Sequence, residues 1–312
     1  VHEPSADPGA RQEGGNRVDE KDRRHGEAPF LDALIMPTLT KEQPWRTSRI
    51  RKKLDLGVRQ NVAVAIHPSA QGFQTAAGDY ERGRPDYPEE AGRWLAERLD
   101  LRPGRTVLDI AAGTGKLTRL LAVSGPTVIA VEPVAGMRER LAAALPDAAV
   151  LDGVAEAIPL DDASVDAATV GQAFHWFDGD RALKEIHRVA RAGSRLAVVY
   201  NRRRLDDPLQ AAMDAILRPL RGDAPAHDSG QWRAAFAHTP LWAPLDELEL
   251  AHVQLLDREG VVARAASTSF IGELPADRRA AVLDQVRSLV TRRAEPIELP
   301  YVSELFAWQR LP

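Results

Sequence analysis

The sequence predicts an α/β fold, a parallel sheet covered by helices on both faces. Three observations carry that prediction. Apolar strand-like runs alternate with helical stretches between residues 105 and 201, the pattern that right-handed crossovers require. The run Val107-Leu108-Asp109-Ile110 leads through the small-residue turn Ala111-Ala112-Gly113-Thr114-Gly115 into a helix from Lys116 to Val123. An acidic residue, Glu132, closes the next apolar run, Thr127 to Val131. A tight turn and a distal carboxylate at this spacing build a nucleotide-binding crevice at the carboxyl end of the sheet.

The elements follow in order. Residues 1–66 read as a disordered N-terminal extension. Val1 to Gly26 is rich in Asp, Glu, Arg and Gly and has too few apolar positions to bury a core. A short apolar patch, Phe30 to Met36, precedes the basic run Arg46 to Lys53, whose other reading is an arm for nucleic acid or an acidic partner. Residues 67–312 form one domain, with ordered structure expected from Phe73. Tyr80 to Pro88 holds an Arg-Pro and a Tyr-Pro step, which favour extended or turn backbone. Glu89 to Asp100 reads as an amphipathic helix. Strands are expected near 105–110, 127–132, 148–151, 165–171 and 195–201. Beyond Asn201 the pattern changes: helices at Pro208 to Leu220, Asp257 to Ser267 and Ala276 to Arg293, and strands at Leu245 to Leu256 and Ile297 to Arg310.

Several ordered motifs between residues 73 and 201 carry a resemblance. Val107 to Thr118 resembles motif I of the class I S-adenosylmethionine (SAM)-dependent methyltransferases, and Val131-Glu132-Pro133 resembles their motif II. Gly153 to Leu160 is similar to the loop after the third strand, Asp162 to Val170 to the approach to the fourth, and Ala182 to Ser194 to the helix and turn before the fifth. The ensemble resembles the methyltransferase type 11 group. Tyr80-x-x-x-Arg84-Pro85-x-Tyr87-Pro88 and Phe174-His175-Trp176-Phe177 resemble its trans-aconitate-methyltransferase-like branch. The resemblance implies a Rossmann-like sheet, mostly parallel, with a late strand inserted antiparallel beside the fifth. It places the cofactor-binding core at about 73–201 and a C-terminal helical lid and last strands at 202–312.

The same resemblance assigns site residues. Tyr80 and Arg84 fold over the cofactor, Arg84 toward the methionine carboxylate, or else Arg84 is a surface residue that holds an N-terminal loop in place. Asp109 orients the loop or nearby amides, or else serves as a carboxylate at a helix N-terminus. Ala111 stands at the family's first glycine position, and Gly113 and Gly115 let the backbone approach the ligand. Glu132 accepts from the ribose diol, its other reading being a salt-bridged surface glutamate. Met137 packs on the adenine face or is an ordinary core methionine. Val154 stands where an adenine-reading Asp is frequent, so recognition passes to the backbone near Ala155, with Glu156 as a loop support. Gln172 ends the fourth strand at the methyl-transfer centre, and Phe174 to Phe177 line the acceptor side, where aromatic faces hold a sulfonium. His175 is the candidate proton acceptor, with packing as its other reading. No two histidines share a helix face at metal-ligand spacing, so no metal is expected.

Composition bounds the alternatives. A chain of 312 residues, 44% of them hydrophobic, buries a full core. A net charge of −4 and an aromatic share of 5% do not suit a nucleic-acid binder. The absence of cysteine removes disulfides, thiolate metal sites and cysteine nucleophiles, and fits a cytoplasmic address. No apolar run approaches the ~18 residues that span a bilayer. The expected function is methyl transfer from SAM to a small-molecule acceptor by in-line displacement, releasing S-adenosylhomocysteine. The alternatives are a non-catalytic SAM-binding regulatory protein and an NAD-dependent oxidoreductase; against the latter, position 118 is Thr rather than a third glycine.

Overall fold

The computed structural model describes residues 73–312, so the extension expected over residues 1–66 lies outside the described residues. The strands are β1 (Thr106–Ile110), β2 (Thr127–Val131), β3 (Ala149–Leu151), β4 (Val165–Gly171), β5 (Ala190–Arg203), β6 (Trp242–Leu256) and β7 (Ile297–Arg310). They form one sheet in the order β3-β2-β1-β4-β5-β7-β6. The first five pair in parallel. β7 enters antiparallel to both β5 and β6, as the resemblance implied.

Strand composition explains the layering. Along β1, Val107 packs on one face of the sheet while Leu108 and Ile110 pack on the other. The first face meets Trp94 and Leu95 of α2 (Glu89–Arg98) and Leu117 and Leu121 of α3 (Lys116–Ala122). The second meets Leu183 and Ile186 of α5 (Gly179–Val189), together with an aromatic group around Phe174, Trp232 and Phe236. Strands buried on both faces read as continuous apolar runs, which is why they were legible.

A third apolar cluster joins the C-terminal helices. α6 (Pro208–Leu217), α8 (Arg258–Ala266) and α10 (Ala276–Val290) close over Ile297, Leu299 and Tyr301, the first half of β7. Its second half, Leu305 to Trp308, lies in the two sheet cores. α1 (Phe73–Gly83) packs across α8 and α4 (Ala135–Ala144). This corrects one expectation: Tyr80 to Gly83 is helical, and extended backbone begins only at the Arg84-Pro85 step. The helix is held by a close crossing. A Cβ on Gly83 would lie 2.3 Å from the Arg264 backbone nitrogen, so only glycine fits there. A short helix, α7 (Arg233–His238), was not anticipated. Among the described residues no helix is long and apolar enough to cross a membrane.

Candidate active site

β1 and β4 are neighbours whose connections leave to opposite sides, which makes the gap beyond their carboxyl ends the topological switch point of the sheet. Both strands end in left-handed, non-glycine backbone. Ala111 has φ 53° and Gln172 has φ 61°. For an alanine such a conformation costs about 1–2 kcal/mol, and strain of this kind gathers at functional sites. The cost of Ala in place of the family's glycine thus lies in the backbone angle. Gly115, at φ 90°, caps α3, and a Cβ there would also press on Leu141.

Glu132 follows β2 and is almost fully buried. Its Oε2 accepts from the Gly113 amide at 2.8 Å and its Oε1 from the Val134 amide at 2.8 Å. Each oxygen keeps a further lone pair. Burial pushes the pKa up to about 7, against the pull of these two amides and of Arg138. Arg138 donates to the carbonyls of Glu132 and Pro133 and to Asp152, bracing the turn from outside.

Asp109 is fully buried, and its partners are side chains. Thr118 donates to Oδ2 at 2.6 Å and Thr169 to Oδ1 at 2.9 Å. Its two hydroxyl bonds pin α3 and β4 to β1, and the expected contact with loop amides is not made. Burial raises its pKa to about 6. The position that carries a third glycine in dinucleotide enzymes is therefore filled by a threonine with a structural hydroxyl.

The other predicted residues divide. Met137 is buried with Ala77 and Val134, with Tyr80 packed against them, which makes it part of a small core under α1. Ala155 is buried in the main core, and Glu156 accepts from the Asp178 amide at 2.8 Å, tying the loop after β3 to the start of α5. Gln172 donates its backbone amide to Val199, and its buried side chain faces the Tyr87 hydroxyl. Arg84 stacks over the Tyr80 ring at 5.3 Å and donates to the Ser267 hydroxyl and carbonyl, each at 3.0 Å. Burial, reinforced by Arg264 and partly offset by Tyr80, lowers its pKa to about 10.

The aromatic run packs against the main core, Phe174 within it and Trp176 and Phe177 at its edge. Phe174 lies in the core, its ring 4.8 Å from Phe236, and does not line the acceptor side. His175 is partly exposed, and burial of its ring lowers the pKa to about 3, helped by His227, Arg84 and Arg221. It is a neutral imidazole and a weak base, which counts against the proton-accepting role. Two residues that the sequence did not point to, Tyr200 and His227, lie beside it, and a third, Glu304, contacts His227. Tyr200 of β5 lies within 3.1 Å of the His175 amide and 3.3 Å of Nδ1. His227 stacks on Tyr200 at 4.5 Å, and Glu304 of β7 lies 3.3 Å from His227 Nε2. Among the described residues no three His, Asp or Glu side chains converge as a metal site.

A sheet of this order with a strained, glycine-bearing crevice and a carboxylate at the end of β2 defines a class I methyltransferase. Residues 108–198 match the family model described as a methyltransferase domain. An uncharacterized methyltransferase of Mycobacterium bovis is 39% identical over 74% of this chain and 92% of its own length. A methyltransferase-like protein of Schizosaccharomyces pombe is 32% identical over 77% of this chain and 96% of its own. A solved structure from Anaeromyxobacter dehalogenans, classed as a type II methyltransferase, is 28% identical, covers 73% of this chain and 99% of its own, and superposes with a TM-score of 0.55. The chain belongs to this methyltransferase family and is an enzyme of that class.

Proposed function

We propose that the protein transfers the methyl group of S-adenosylmethionine to a small-molecule acceptor by in-line displacement. One observation carries the cofactor assignment: a buried carboxylate, Glu132, at the end of β2, facing a loop whose backbone is held open in left-handed conformations. The residues fit the cofactor. Lone pairs of Glu132 suit a ribose diol, and a Cβ on Gly113 would meet only open space. Arg84 is in no ion pair among the described residues and suits the methionine carboxylate.

When bound, S-adenosylmethionine supplies an electrophilic methyl on a sulfonium. The chain's contribution is alignment and exclusion of water, an effect that reaches about 7–11 kcal/mol for well-oriented reactants. A SAM-binding protein without turnover is the second reading, favoured by the strained alanine in the loop; release of S-adenosylhomocysteine separates the two. The test is thermal unfolding with S-adenosylhomocysteine, SAM or NAD added separately. Ligand at 100 times its dissociation constant stabilises by about 2.7 kcal/mol. A rise with the first two supports the proposal, and a rise with NAD alone overturns it.

A further inference from the structure

Four side chains from distant parts of the chain meet beside the switch point: His175 after β4, Tyr200 on β5, His227 in the loop after α6, and Glu304 on β7, paired in register with Tyr200. Their hydrogen bonds bear on which ring nitrogens carry protons. The Tyr200 hydroxyl accepts from the His175 amide and lies 3.3 Å from His175 Nδ1, and we take the arrangement in which it donates its own proton there. His175 then carries its proton on Nε2 and presents a donor. Glu304 is held below the usual carboxylate range: burial would raise it, but hydrogen bonds from His227 and Arg202 prevail. Facing an ionised carboxylate, His227 carries its proton on Nε2 and presents the Nδ1 lone pair. The two rings lie 6.4 Å apart, one offering a donor and the other a base.

We propose that His227, oriented by Glu304, is the general base of the reaction, that His175 donates a hydrogen bond to the same acceptor, and that the acceptor is a small phenol or enol methylated on oxygen. This rests on the methyl-transfer reading above. As the acceptor O–H bond breaks, its proton goes to His227 Nδ1. The freed oxygen pair forms the O–CH3 bond, and the S–CH3 bond breaks with its electrons passing to sulfur. Glu304 stabilises the imidazolium, and the His227 side chain, 21% exposed, returns the proton to water. A phenol, ionising near pH ~10, keeps its proton at neutral pH and gains from a base, whereas a carboxylic acid is already ionised and needs none.

The surroundings favour the phenolate. Arg84, from the segment after α1, and Arg221, from the loop before His227, both bear electrostatically on His175. Arg221 is paired with Asp228, and Arg202 with Glu304, while Tyr200 and His175 are neutral. The Trp176 ring, 5.3 Å from His175, adds an aromatic surface to that side.

The first test needs no substrate. Nitrogen-15 imidazole spectra of the ligand-free protein should show His227 protonated on Nε2, a preference lost in Glu304→Gln; an Nδ1-protonated His227 overturns the proposal. The second measures S-adenosylhomocysteine release with SAM and a panel of small phenols and matched benzoic acids. His227→Gln should lower kcat for the methylated phenol by about 10²–10⁴-fold with SAM affinity unchanged. Glu304→Gln should move the rising limb of the kcat/KM pH profile, a readout that a purely structural role leaves in place. Methylation of benzoates alone, or full activity in His227→Gln, overturns the proposal. Failure of the wild type to bind SAM overturns instead the reading on which it rests.

Discussion

Two glutamates at the same rim of the sheet behave in opposite ways. Glu132, on the proposed cofactor side, accepts hydrogen bonds from two backbone amides, and burial pushes its pKa up to about 7. Glu304, on the proposed acceptor side, is held by the side chains of Arg202 and His227 and stays below its usual range. The cofactor half is thus built from strand ends, a loop and main-chain groups contributed by a short stretch of sequence. The acceptor half is built from side chains that only the complete sheet brings together. One is a shape that backbone dictates, and the other an assembly of separately placed groups.

The comparison can be broken by substitution. The largest effect is expected at Phe174, which sequence placed with the acceptor and the structure places in the core. Phe174→Ala should cost about 3–5 kcal/mol of stability, read by denaturant unfolding; a loss below about 1 kcal/mol would return it to the acceptor surface. Next is Glu132→Ala, which removes a charged acceptor and should weaken S-adenosylhomocysteine about 100-fold by calorimetry, some 2.7 kcal/mol. His227→Gln should leave that affinity within about twofold. Equal losses in the two variants would erase the division between the halves.

A smaller effect sharpens it through pH. The folded-state pKa of Glu132 is above its value in the unfolded chain, so the unfolded state loses its proton first. Stability from this group is therefore full below pH 4.5, falls as pH rises toward about 7, and is flat above. Glu132→Gln should flatten that limb in thermal melts. Because ribose hydroxyls donate to the ionised form, S-adenosylhomocysteine should bind about tenfold more tightly at pH 8 than at pH 6, releasing a proton. A pH-independent affinity would contradict this. The smallest effect is Ala111→Gly, which relieves a φ of 53° and should stabilise by about 0.5–1 kcal/mol after its cost in unfolded-state entropy.

This contrast also explains what the sequence made legible. β7 spans Ile297–Arg310 as expected, and Glu132 stands at the end of β2, because apolar runs and turn residues are local signals. The helical course of Tyr80 to Gly83 was not legible, since Gly83 is chosen by the backbone of Arg264, 181 positions along the chain. The role of Phe174 was hidden for the same reason: its partners Trp232 and Phe236 come from a segment without strong periodicity. The His227–Glu304 contact joins residues 77 apart in sequence, and a spacing search along one helix cannot find it. One signal was available. Glu304 is a carboxylate inside the apolar stretch Ser303 to Trp308, and an acidic side chain in a buried strand calls for a partner.

The position of β7 also bears on folding. Although it follows every other strand in the chain, it lies inside the sheet, between β5 and β6, and packs against the C-terminal helices. Without it β5 has an open edge, β6 has no neighbour and those helices have nothing to close upon. The native pairing of β5 and β6 and the packing of the C-terminal helices therefore all depend on Ile297–Arg310, through contacts of long sequence separation of the kind that slow folding.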